Sequence, residues 1–364
     1  MKILDKYLLK KYLGTFLLIL ALLLPIAIAI DISEKVDKFL RHADLSMATI
    51  IEDYYLNFII IYGNTFMPLA LFIAVIFFTS KIAANTEIIA IQSARISFTR
   101  FLKPYFIGAT IVAVFALYTN HFVVPQSNKV FETFSRTYLK NKQYNAHNLQ
   151  NINLQLSDQE YVHFKNYNSD RDVGYDFSYE RFENNQLKYK LMANTIRWVE
   201  KDTLFRLSNY KIRRLLKEKD LIETGRQLDT LFDFRPEDLQ QVDYLAREMN
   251  SVALSRFIQK SKARGAGNLN TYLVELYKRT SLPISSYILT FIAVALAAKK
   301  KRGGTGKNLA IGITLMFVYI FFLKISEVLG AGADKNPLLM VWFPNALFGI
   351  LAAYLYYRNV QNQS

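Results

Sequence analysis

The chain has 364 residues, of which 52% are hydrophobic, 14% aromatic and 21% charged. One uniform globule seldom combines such figures, whereas long apolar runs alternating with polar segments do. The net charge of +15 suits nucleic acid or an anionic membrane surface. No nucleic-acid recognition motif accompanies the basic residues, which lie partly beside apolar runs, so no nucleic-acid partner is expected. With no cysteine there is no disulfide framework, thiol nucleophile or cysteine-based metal site.

A hydrocarbon core about 30 Å thick needs about 20 apolar residues as a helix. Six runs qualify or come close: Leu13–Ile30, Phe58–Ser80, Phe106–Val124, Leu282–Ala298, Leu309–Ile325 and Leu338–Tyr357. The first is not read as a cleaved signal peptide, because it lacks a small-x-small site and acidic residues follow it directly. Pro25 and Pro68 fall inside spans and read as kinks whose freed carbonyls neighbouring helices satisfy.

Lysine and arginine in the short loops set the orientation. Lys2, Lys6, Lys10 and Lys11 precede the first span. Lys81, Arg95, Arg100 and Lys103 follow the second, and Lys299, Lys300, Lys301, Arg302 and Lys307 follow the fourth. The opposite loops are more acidic. After the first span Lys35, Lys38 and Arg41 face Asp31, Glu34, Asp37, Asp44, Glu52 and Asp53, and after the fifth Lys324 and Lys335 face Glu327 and Asp334. Both termini are therefore expected in the cytoplasm and residues 125–280 outside.

The expected fold class is membrane α-helical, with six transmembrane helices and an inserted all-β, jellyroll-like periplasmic domain. Residues 1–124 hold the first three spans, 125–280 the outer domain with flanking helices, and 281–364 the last three spans. In the insert, Pro125–Tyr144 continues the third span as a helix. Ile152, Leu154 and Leu156 alternate as on a strand, and Glu160–Tyr167, Met192–Val199 and Thr203–Ile212 read as further strands. Asn184-Asn185 and Glu200-Lys201-Asp202 read as hairpin turns. Repeated short strands at this spacing argue for a sandwich or jelly roll. Arg235-Pro236-Glu237-Asp238 opens a helix, Ser251 is expected to cap the next, and Gly265-Ala266-Gly267 breaks it. Leu269–Arg279 leads into the fourth span.

No catalytic residues are expected. A phosphate loop needs a glycine where this chain has Lys301 or Arg302, and Ser or Thr where Asn308 follows Gly306-Lys307. The stretch from Gly303 to Asn308 reads instead as a tight turn. His42, His121, His147 and His163 show no zinc spacing, so no metal is expected. Glu327, with Lys324 three residues back, reads as a local ion pair.

The loop after the second span is the one that looks purposeful. Asn85 can cap a helix, Glu87 falls in its first turn, and Ile88, Ile91 and Ile96 make an apolar face, with Gln92 and Arg95 on a more polar side. Physics alone leaves this segment open between a helix on lipid or in a partner's groove and a solvated connector.

Asn85-Thr86-Glu87-Ile88-Ile89-Ala90-Ile91-Gln92-Ser93-Ala94, with Ser97 and Leu102-Lys103-Pro104, resembles the coupling-helix region of the LptF/LptG permease family. Leu4-Asp5-Lys6-Tyr7-Leu8, His121-Phe122-Val123-Val124-Pro125-Gln126, Thr195-Ile196-Arg197-Trp198 and Leu204-Phe205-Arg206-Leu207 extend the likeness. So do Lys278-Arg279-Thr280-Ser281-Leu282-Pro283, Arg302-Gly303-Gly304 and Trp342-Phe343-Pro344-Asn345. The motifs are individually unspecific; their order over nearly the whole chain carries the resemblance. Arg95 departs from it, standing where many members have glycine. The opening Leu-Asp-Lys-Tyr and the Val36-Asp37 region incline towards the LptG-like member.

The resemblance implies a permease subunit of an ABC-type exporter, without its own ATPase site, that extracts lipopolysaccharide from the bacterial inner membrane. The implied partners are a dimeric cytoplasmic ABC ATPase that uses the ATP, a second related permease, and periplasmic bridge proteins. No cofactor is implied in this chain. Glu87, Ile88, Ile91, Gln92 and Arg95 would couple to the ATPase, and Lys35, Lys38 and Arg41 would meet the lipid head group. The competing readings are a membrane-anchored assembly or signalling protein that moves no lipid, and a mechanical ABC subunit acting on periplasmic partners.

Overall fold

The computed structural model describes residues 2–42, 45–139, 148–157, 159–168, 171–184, 186–199, 203–216, 220–239, 243–263, 269–298 and 304–361. Two compact units emerge: a helical one, Met1–Ser135 with Ala246–Leu254 and Asn270–Ser364, and a second, Arg136–Leu245 with Ser255–Leu269. The turns expected at Asn185, at 200–202 and at 265–267 fall outside the described residues, as do Asp44, His147 and 299–303.

The helical unit opens with α1 (Ile3–Leu40). A short α2 (Met47–Thr49) runs through a π-helical stretch, Ile50–Tyr55, into α3 (Leu56–Ala84). Then come α4 (Glu87–Ser93) and α5 (Phe98–Tyr118). A second π stretch, Thr119–Val123, joins α5 to α6 (Val124–Phe134), and a third, Ser135–Leu139, follows. Thus the third span does continue as a helix beyond Pro125. Helices α7 (Pro236–Leu239), α8 (Asp243–Glu248) and α9 (Ser251–Ala263) precede α10 (Asn270–Ala297), α11 (Gly304–Ala331) and α12 (Pro337–Gln361). Six helices, Ile3–Leu40, Met47–Ala84, Phe98–Leu139, Asn270–Ala297, Gly306–Ala331 and Pro337–Asn359, are long and apolar enough to cross a membrane.

Their packing follows from the sequence. Along the first half of α1 only Asp5, Leu8, Tyr12 and Phe16 are buried, three or four residues apart and hence on one stripe, while Leu17, Leu18, Leu22 and Ile26 are exposed. Such an apolar exterior is costly in water and natural against lipid. Helices α3 and α10 occupy the middle, with Leu71, Phe72, Leu289 and Ile292 fully enclosed. Gly108 on α5 lets the Tyr12 ring lie against the backbone, for a Cβ there would meet Tyr12 Cδ1 at 2.6 Å. The Tyr12 hydroxyl in turn lies 2.9 Å from Thr290 Oγ1 on α10. Other buried polar groups bridge helices in the same way. Tyr319 OH donates to Asn345 Oδ1 at 2.8 Å, and Asn345 Nδ2 to the Ser281 carbonyl at 2.7 Å. Helices that share an apolar exterior gain specificity from such bonds.

The second unit holds six strands: β1 (Asn148–Ser157), β2 (Glu160–Asn168), β3 (Val173–Glu183), β4 (Gln186–Val199), β5 (Leu204–Arg214) and β6 (Leu221–Thr230). They pair antiparallel in sequence order as one sheet, so the connectivity within the inserted β domain is a meander. The β3–β4 hairpin closes tightly, with Glu183 opposite Gln186 and Asn184 at φ 50°, a left-handed conformation that asparagine tolerates. One face is buried: Leu154 and Leu156, Val162 and Phe164, Phe177 and Tyr179, Leu191 and Ala193, Phe205 and Leu207. Each pair is two residues apart, as the pleat requires. Phe232, Phe234 and Leu239, beyond the last strand, pack on that face.

Two local expectations are corrected. Asn250, not Ser251, caps α9, its Oδ1 accepting the Ala253 amide at 2.8 Å. The glycine-rich stretch expected as a turn enters α11 at Gly304, and Asn308 is buried there, its Nδ2 donating to Ser80 Oγ at 3.1 Å.

Candidate functional site

The loop between the second and third spans carries α4, and its two ends are both strained. Asn85 closes α3, and Thr86, at φ 64°, is the residue before α4, so the cap expected at Asn85 is displaced by one position. The Asn85 side chain instead donates to Glu87 Oε1 at 3.4 Å. At the far end Arg95 has φ 58°. A side chain in that region costs about 1–2 kcal/mol relative to glycine. The left-handed turn explains physically why glycine would suit the position.

The apolar face is used within the chain. Ile88 is buried in the core of the spans, Ile91 packs against it, and Ile96 is half-buried. Ile89, Ala90, Gln92, Ser93 and Arg95 are exposed. Ile89 is 52% exposed, a large apolar side chain presented outward from the loop. Glu87 is half-buried and accepts a bond from Tyr7 OH on α1 at 3.0 Å. Two residues before Tyr7, Asp5 is buried and receives both ends of the Arg100 guanidinium, at 2.7 and 3.0 Å, and the Lys2 amide at 3.0 Å. Two carboxylates thus join α1 to the loop and to α5. A fork on a carboxylate fixes geometry as well as energy. Tyr7, Asp5 and Arg100 were not among the expected site residues, although Leu4-Asp5-Lys6-Tyr7-Leu8 already stood out as a motif.

The three bases of the first loop separate. Lys35 is half-buried and bonded to Asp31 and to the Tyr54 hydroxyl. Asp31 also accepts from Tyr54 OH at 3.0 Å and Tyr55 OH at 3.4 Å. An aromatic enclosure surrounds this group: Tyr54 stacks on Phe131 at 4.7 Å and meets Phe39 edge-on at 5.5 Å. Lys38 and Arg41 are exposed, and among the described residues no ion pair involves either. The structure thus holds Lys35 in an internal network and leaves Lys38 and Arg41 on the surface.

Elsewhere Lys324 and Glu327 form the expected pair at 2.9 Å, and Lys278 of α10 joins it at 3.6 Å. Arg279, 2% exposed, has no counterpart among the expected site residues. It donates to the carbonyls of Ala246 and Met249, both at 2.8 Å, and to Ser251 Oγ at 3.0 Å. Ser251 Oγ also lies 2.7 Å from His121 Nδ1. These bonds fasten the end of α8 and the start of α9 to α10 and to the π stretch of the third span.

Six membrane-crossing helices, an inserted antiparallel sheet and a packed interspan helix define a multi-pass membrane protein of the permease type. The sequence matches, over residues 6–358, the family model Lipopolysaccharide export system permease LptF/LptG. The chain belongs to that family, whose one model describes both LptF and LptG. A search of curated proteins gives no match.

Proposed function

We propose that this chain extracts lipopolysaccharide from the inner membrane and passes it to a periplasmic bridge, beside a second related permease and powered by a separate dimeric ATPase. The Lys/Arg asymmetry supports cytoplasmic termini and a periplasmic β domain. On this reading ATP is bound by the partner and not by this chain. The observation that carries the coupling reading is α4 itself. Its inner face, Ile88 and Ile91, is fixed to the spans, and its outer face, with Ile89 and Gln92, is open. A helix held on one side and exposed on the other suits a partner's groove. Glu87 then acts from within, steadying α4 against α1 through Tyr7, and Arg95 holds the turn that follows.

At the other side of the membrane, Lys38 and Arg41 suit phosphates of the lipid head group, to which basic groups make charge-assisted bonds. Lys35 would join them only on leaving Asp31 and Tyr54. The test is purification of the chain from native membranes followed by single-turnover lipid release. Wild-type chain should bring a stoichiometric ATPase with it. Ile89→Asp should weaken that association, and Lys38→Glu with Arg41→Glu should reduce lipid photocrosslinking while the complex stays assembled. Normal association in Ile89→Asp would remove α4 as the docking element. Normal crosslinking in the double variant would return the two bases to a solvated helix face.

A further inference from the structure

A groove of about 610 Å³ lies between α5, α10 and α12, away from α1 and α4. Its deep part is apolar and aromatic, with Phe106, Tyr287 and Ile288 as walls. It exists because α12 presents Gly349, Ala352 and Ala353 there, residues too small to close it. Its polar groups gather at one end. Lys103 is exposed on that rim, and Thr99 Oγ1 and Tyr356 OH lie 2.9 Å apart beside it. Along α5 the lining runs from Thr99 to Phe106, an advance of about seven residues. At about 1.5 Å per residue that is about 10 Å, within one leaflet, which is about 15 Å of hydrocarbon.

We propose that this groove is a binding site for one anionic glycerophospholipid of the leaflet that meets its Lys103 end. An acyl chain lies along Phe106 and Ile288 over the small residues of α12, and the phosphate meets Lys103 and the hydroxyls of Thr99 and Tyr356. Three features commit the site to this occupant. The apolar depth, about 10 Å, stays within one leaflet. The rim carries a cation with hydroxyl donors beside it, the complement of a phosphodiester. Tyr356 and Tyr357 stand where amphipathic aromatics meet the head-group layer. A transmembrane helix of a second protein would run on past the deep end. The lipid is distinct from the exported cargo, and the site stands whether or not the export reading holds.

The test uses the full chain in vesicles of equal phosphatidylcholine and phosphatidylglycerol, extracted in mild detergent and weighed intact by native mass spectrometry. Wild-type chain should retain one phospholipid, with phosphatidylglycerol in excess. Lys103→Gln, an exposed change that leaves packing alone, should lower that preference about fivefold, the worth of one basic side chain at an anionic lipid. Ala353→Phe, which fills the groove from an exposed position, should abolish retention of either lipid. Equal retention of the two lipids by the wild-type chain, an unchanged preference in Lys103→Gln, or a second protein retained in place of lipid would each overturn the proposal.

Discussion

Replacing Arg279 with methionine tests whether buried hydrogen bonding holds the 246–254 segment to the helices. Methionine keeps most of the volume and removes every donor. The carbonyls of Ala246 and Met249 then lose their bonds, and Ser251 keeps only His121. A buried carbonyl left without a donor costs about 1–3 kcal/mol, and bonds to a charged donor lie towards the upper end. Glu275, 3.7 Å from the guanidinium, keeps its closer cation, Lys278 at 3.0 Å. Water can reach part of the freed segment once it lifts, so about 3 kcal/mol is a fair expectation for the local step, below the sum of the separate losses. That corresponds to a rise of about 150-fold in the open population. The chain has no cysteine, so a single Ala246→Cys, at a position 1% exposed, reports opening against a silent background. Maleimide labelling should accelerate by about that factor in Arg279→Met and by much less in Arg279→Lys, which keeps the charge without the planar fork. A labelling rate unchanged by the methionine would refute the assignment.

Arg95→Gly should raise the thermal midpoint, by the equivalent of about 1 kcal/mol, because glycine adopts φ 58° without strain. Arg95→Val, β-branched, should lower it. Gly108→Ala should destabilise by about 1–3 kcal/mol as overpacking does, and a simultaneous Tyr12→Leu should recover part of the loss, measured as a double-mutant cycle in thermal denaturation. In the β domain, burial and then the hydrogen bond to Glu160 push the Tyr179 hydroxyl up to about 12. A hydroxyl raised above its unfolded value of about 10 contributes stability that is present below pH 10 and lost as pH rises towards 12. Alkaline unfolding followed by tyrosine absorbance should therefore show a smaller pH dependence in Tyr179→Phe than in the full-length chain with Tyr179.

The spans and strands were legible because each rests on a periodicity. Leucine-rich runs of the first helix and the alternation Ile152, Leu154, Leu156 are local patterns, and local patterns survive in the fold. The helix after the second span was legible for the same reason, whereas the odd placement of Arg95 came from the family resemblance. What stayed hidden depended on distant partners. Nothing near Glu87 names Tyr7, 80 residues away, and nothing near Lys35 says that Tyr54 will take one of its bonds. Asn250 and Ser251 were nearly equivalent as caps. The choice fell to Asn250, while Arg279 and His121 engage the serine. The order of the strands was likewise invisible. Short alternating strands suit sandwiches and meanders alike, and only the pairing distinguishes them.

The contacts of the first three turns of α1 bear on how a permease subunit receives work from outside itself. Tyr7 reaches Glu87 at the head of α4, Asp5 holds Arg100 near the start of α5, and Tyr12 meets Thr290 on α10. Ile88 enters the same core as Leu8 and Tyr12. Asp5 and Tyr12 lie on the buried stripe and Tyr7 beside it, so displacement of α4 loads α1, α5 and α10 together. Beyond Phe16 no residue of the same helix is fully buried until Asp31, where a second cluster anchors it through Tyr54. Between the two clusters Ile19, Leu20 and Leu23 still pack against the core of the spans, so the ends of α1 are held by polar bonds and its middle by apolar contact. That arrangement suits the proposed division of labour, with force arriving at α4 and lipid meeting the opposite end of α1 at Lys38 and Arg41. The link is carried by α1 itself, one continuous helix across both clusters in which Pro25 leaves out a single backbone bond.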